Sequence, residues 1–128
     1  MPHILLVDDD TLLRDALHKT LVRAGYEVED CSGGTEALKA FRRQPPDLVI
    51  TDIVMVDGEG LDMIRVLRTL DAHVKIIAMS GGGLGKSDDY LNLADEFGAT
   101  TVLAKPFSGE KVLEVVAAVL AGSFEKDV

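Results

Sequence analysis

With 128 residues, the chain is long enough for one domain with one apolar core. Apolar residues make up 47% of it, yet no run approaches the ~18 to 20 residues of a membrane span. Its net charge of −9 opposes a nucleic-acid surface, which needs a basic patch, and suits a basic partner or simple solubility.

The chain opens on "MPHILLVDDD", which lacks a basic n-region, and acids follow its apolar run at once. A cytoplasmic protein without membrane insertion is therefore expected. The segment "HILLVD" (3–8) reads as a first strand, nearly continuous in apolar residues. Residues 11–24 follow as a helix, with Leu13, Ala16, Leu17, Thr20 and Leu21 as one stripe and Gly25 as a stop. "EVEDC" (27–31) is a strand whose Glu27, Glu29 and Asp30 suit a solvated sheet edge. Its Cys31, the only cysteine, excludes an internal disulfide, fits a reducing compartment and reads as a buried, inert thiol. A helix over 33–43 ends before Pro45-Pro46.

"DLVITD" (47–52) is a third strand, and 59–71 a third helix presenting Leu61, Ile64, Leu67 and Leu70. "VKIIAM" (74–79) is a fourth strand. A helix over 88–97 stops at Gly98, "TTVLA" (100–104) is a fifth strand, and 108–121 is a last helix. In that helix Val112, Leu113, Val116, Val119 and Leu120 form the stripe and Gly122 closes it. Five strand–helix units predict an α/β fold: a doubly wound parallel sheet, flavodoxin-like (βα)5, with strand order 2-1-3-4-5, over residues 1–128.

Between the fourth strand and the next helix stands "SGGGLGKS" (80–87), close to the Walker A pattern G-x-x-x-x-G-K-[ST]. Ser80 occupies the place of the first glycine. A P-loop also precedes its acidic strand, whereas here "LVITD" comes first. The stretch therefore reads as a loop with Ser87 as a helix cap rather than a nucleotide site.

In such sheets ligands bind beyond the carboxyl ends of the strands. Asp8, Asp9 and Asp10 follow the first strand, Asp52 ends the third, Ser80 follows the fourth and Lys105 the fifth. Two unit charges ~4 Å apart repel by ~4 kcal/mol at an effective dielectric of 20, so converging carboxylates require protons or a cation. Lys105 supplies one charge; Mg²⁺, a hard ion suited to few carboxylates and several waters, can supply the rest. A carboxylate in that setting can accept a phosphoryl group, with Asp52 as nucleophile and Lys105 spreading the charge. Asp10 is expected to cap the first helix rather than bind an ion. His3, His18 and His73 have no acidic or cysteine partners at ligand spacing and read as surface or packing residues.

At these residues the chain resembles the receiver domain of bacterial two-component response regulators, from "ILLVDD" through "DLVITDIVM" and "IIAMS" to "AKPF". The resemblance implies that Asp8 and Asp9 hold Mg²⁺ with Asp52, the phospho-acceptor, and the backbone carbonyl of Val54. It makes Ser80 the switch hydroxyl, Lys105 the lysine joined to Pro106 by a cis bond, and Gly60 the glycine after the acceptor loop. It implies a phosphorelay signalling domain that takes its phosphoryl group from a sensor histidine kinase or histidine phosphotransfer protein. Such a domain acts on a downstream protein target and dephosphorylates itself slowly. Three positions depart from the family pattern: Val56 replaces a proline, Val102 replaces an aromatic, and the Ser80–Gly98 segment is about three residues longer. A second reading uses "LLVDDDTL" as the D-x-D opening of a haloacid-dehalogenase-type phosphatase with Asp8 as nucleophile. It leaves Asp52 without a role and no room for a cap insertion.

Overall fold

The computed structural model describes residues 1–53, 60–80 and 98–122. Five parallel strands form one sheet in the order β2-β1-β3-β4-β5. They are β1 (His3–Val7), β2 (Glu27–Cys31), β3 (Leu48–Asp52), β4 (Lys75–Ser80) and β5 (Thr101–Ala104). The described helices are α1 (Thr11–Arg23), α2 (Gly34–Arg43), α3 (Gly60–Leu70) and α4 (Gly109–Leu120). Each described boundary lies within about one residue of the sequence reading, which is the ordinary uncertainty of helix ends. The helix expected over 88–97 lies outside the described residues.

Alternation along the strands divides the core in two. Leu5, Val7, Val49, Ile76 and Ala78 pack with α2 and α3, around Phe41, Ile64 and Leu67. Ile4, Leu6, Leu48, Ile50, Ile77, Met79 and Leu103 pack with α1 and α4, around Leu17, Leu21, Val112 and Val116. Each large side chain so buried contributes ~1.5–3 kcal/mol. The stripe of α1 narrows to Leu17 and Leu21 as its buried residues. In α3, Leu70 is 44% exposed because the helix ends there, while Ile64 and Leu67 are fully covered.

The turns follow from the chain's chemistry. Asp10 caps α1, accepting from the amides of Leu12 (3.1 Å) and Leu13 (3.2 Å). At the other end Gly25, with φ +99°, closes the helix. Tyr26 N donates to Leu21 O (3.2 Å) and Gly25 N to Val22 O (3.0 Å), a Schellman arrangement. Cys31 is buried, and its thiol is pushed up to about 12 by burial and then by Glu36, Glu29 and Asp30. It is thus kept protonated and unreactive.

Candidate functional site at the carboxyl ends of the strands

The two-residue period of the strands decides which side chains meet. Asp8 continues the alternation of Ile4 and Leu6, Asp52 that of Leu48 and Ile50, and Lys105 that of Leu103. All three therefore emerge beyond the sheet on the α1–α4 side. Ser80 continues the opposite alternation, that of Ile76 and Ala78. It stands one residue past Met79, the register partner of Asp52, and its carbonyl accepts from Lys105 N at 2.7 Å.

Asp8 is fully buried and Asp52 is 6% exposed. Lys105 Nζ lies 2.9 Å from Asp52 Oδ2 and 3.4 Å from Asp8 Oδ2. Carboxylate oxygens of Asp8, Asp9 and Asp52 all lie within 4.8 Å of one another. Burial raises the Asp8 carboxyl above the usual range and Asp52's charge adds to that, although the Asp10 amide and Lys105 pull it down. Burial pulls the Lys105 ammonium down, but the hydrogen bond and charge of Asp52, then those of Asp8, together hold it above the usual lysine range. One cation thus bridges two of three crowded carboxylates. The remaining donors are all oxygens, the set that fits a hard divalent ion.

Among the sequence candidates, the structure brings Asp8, Asp9, Asp52 and Lys105 together and sets Ser80 at the same rim. Asp10 is occupied as the α1 cap. The Lys105–Pro106 bond is cis, as the resemblance implies. Val54, and the glycine-rich stretch 81–87, lie outside the described residues. Two of the three histidines have acidic neighbours that chain spacing does not reveal: His18 Nδ1 lies 2.8 Å from Asp30 Oδ1, and His3 Nε2 3.8 Å from Glu29 Oε1. Both partners come from β2. Arg14 was missed as well. Its guanidinium donates to the Asp8 carbonyl at 2.5 Å. The sequence shows only an arginine four residues after the helix cap, with no sign that it faces a backbone carbonyl.

A doubly wound α/β domain with an acidic pocket at its strand ends, faced by a lysine, has the donors for a hard divalent cation and a cation for an anionic ligand. Comparison with known proteins narrows this. The profile described as "Response regulator receiver domain" matches residues 4–117. The chain is 32% identical over 114 residues to the chemotaxis protein CheY of Bacillus subtilis, covering 88% of this chain and 92% of that one. It is 28% identical over 113 residues to sporulation initiation phosphotransferase F of the same organism, covering 88% and 89%. The structure of the chemotaxis response regulator CheY4 of Vibrio cholerae superposes with a TM-score of 0.83 at 30% identity, covering 93% and 98%. The chain belongs to the response regulator receiver domain family. That membership, with Asp10 spent on the α1 cap, removes the dehalogenase-type reading of Asp8 and Asp10.

Proposed function

We propose that residues 1–128 form a single receiver domain that accepts a phosphoryl group on Asp52 and signals through its phosphorylated state. The observation that carries this reading is the Asp52 carboxylate, nearly buried at the end of a central strand, 2.9 Å from Lys105 and grouped with Asp8 and Asp9. That one relative is named a phosphotransferase supports phosphoryl chemistry as the family's currency.

An Asp52 oxygen attacks phosphorus, and an acyl phosphate forms as the bond to the donor breaks. The electron pair leaves with that donor: an imidazole when it is a phosphohistidine of a sensor kinase or phosphotransfer protein, acetate when it is acetyl phosphate. Lys105 remains an ammonium and faces the oxygen that gains charge. Asp8, Asp9, Asp52 and the Val54 carbonyl are the residues to hold Mg²⁺, which when bound supplies charge neutralisation for the transferred group. Ser80, at the rim, is the hydroxyl to bond a phosphoryl oxygen. Output passes to a downstream protein rather than to nucleic acid, in line with the charge of −9. No described helix is long and apolar enough to cross a membrane. The site of action read from the composition is the cytoplasm.

Incubation with acetyl phosphate and Mg²⁺ followed by intact-mass measurement tests the reading. One phosphoryl group is expected on the wild type and none on Asp52→Asn. An acid-stable label persisting on Asp52→Asn would assign the chemistry elsewhere.

A further inference from the structure

We propose that Arg14 is a positioning residue for the divalent-cation site, acting through the backbone of Asp8. This rests on the reading of Asp8, Asp9 and Asp52 as cation ligands. The ladders of β1 with both neighbours end in register at Val7. The Asp8 carbonyl is therefore the first beyond the sheet, in a fully buried residue, and needs a donor from elsewhere. Arg14 provides it from the second turn of α1, at 2.5 Å.

Other bonds hold the turn to β2, to the start of α1 and, through the Asp8 carboxylate, to Lys105. Asp8 N donates to Cys31 O (3.1 Å), Asp10 N to Asp8 Oδ1 (2.9 Å), and Asp10 Oδ1 accepts from Leu12 and Leu13. Arg14 N in turn donates to Asp10 O at 2.9 Å. Arg14 thus closes a loop of contacts around Asp9, tying the first helix to the end of β1. This cation bonds a backbone oxygen of the turn that carries Asp8 and Asp9. Its hydrogen bond sets where the acids of the turn sit.

Mg²⁺ demands near-octahedral oxygens at ~2.0–2.1 Å, so a small shift of this turn misplaces two ligands at once. Loss of such an outer contact typically costs about 10–100-fold in metal affinity. Titration calorimetry with MgCl₂ on the full chain tests this, with NMR of the Asp8–Asp10 amides as a second readout. Arg14→Met should raise the Mg²⁺ Kd at least ~10-fold and shift those amides before any metal is added. Arg14→Lys keeps a donor that can reach the carbonyl and should stay within about 3-fold of wild type. Acetyl phosphate labelling of Arg14→Met should recover at saturating Mg²⁺, a deficit in binding and not in the chemical step.

Wild-type affinity in Arg14→Met overturns the proposal, as does a labelling deficit that saturating Mg²⁺ leaves in place. Should Arg14→Met fail to fold, Arg14→Gln replaces it, since its shorter side chain falls short of the carbonyl and must show the same loss. If Asp52 proves not to be the acceptor while Arg14→Met still loses Mg²⁺, the functional reading falls and this inference stands. If Asp52 labels normally and Mg²⁺ binding ignores Arg14, only this inference falls.

Discussion

Lys105 reaches Asp52 at 2.9 Å from an edge strand, two strands away from β3 in the sheet order. The contact exists because both positions continue the same side of the sheet's alternation. Lys105→Met should slow labelling by acetyl phosphate about 100-fold, the scale of a lost charge-stabilising donor. Because the carboxylates hold the Lys105 pKa above its ordinary 10.5, its stabilising contribution is complete below that value and fades only as pH rises through the folded one. The labelling rate should therefore show no lysine titration between pH 7 and 9. A break in that range would contradict the assignment.

Asp8 is shifted in the same direction, from a much lower ordinary value. Its carboxyl is raised above the ordinary 3.8, first by burial, so its contribution to stability is present below that value and is lost as pH rises through the folded one. Once ionised, Asp8 places a buried charge in the metal-free fold at a cost. Asp8→Asn keeps an oxygen for the Asp10 amide and removes that charge, so its melting temperature in EDTA should rise by about 2–5 °C. The same variant should lose the Mg²⁺-dependent stabilisation of the wild type. Scanning fluorimetry with and without Mg²⁺ measures both, and a lower melting temperature in EDTA would count against the burial argument.

Arg68 donates to the carbonyls of Gly98 (2.7 Å), Ala72 (3.4 Å) and Val74, tying the end of α3 to the approach of β5. Burial lowers its pKa, and Asp71 raises it in part. Arg68→Met leaves these carbonyls without their donor and should cost about 2–3 kcal/mol in urea unfolding. Gly98 has φ +82°, and a Cβ there would meet Arg68 Cγ at 3.2 Å. Gly98→Ala should cost about 1–2 kcal/mol from the left-handed backbone alone. The double variant should lose less than the sum, because a Cβ at 98 pressing on the Arg68 side chain already disturbs that side chain's bond to the Gly98 carbonyl, the bond that Arg68→Met removes.

Self-dephosphorylation needs a water in line with phosphorus. The receiver resemblance puts Val54 and Gly82 beside that approach, and neither side chain can hydrogen-bond a water. Val54→Gln should shorten the lifetime of the label after the donor is removed, several-fold and with stability unchanged. Timed intact-mass measurement reads it, and an unchanged lifetime would remove the water-positioning argument.

The strands, the described helices and the acidic rim were legible because they depend on short-range pattern. A period of two or 3.6 marks each element, and the residue after a strand lands at the sheet's edge whatever its neighbours are. Asp8, Asp9, Asp52, Ser80 and Lys105 could all be picked out that way, as could Asp10 as a cap. The partners of Arg14, Arg68, His3 and His18 could not. His18 meets Asp30, and His3 lies near Glu29, because β2 lies beside β1 with α1 packed across it. Arg68 meets Gly98 from thirty residues away in the chain. These contacts depend on register, on helix rotation and on which backbone oxygens the sheet leaves unpaired. A charged side chain in a sequence carries no mark of whether it will face a carboxylate or a carbonyl, since that choice arises only when distant elements pack and unpaired oxygens must find donors.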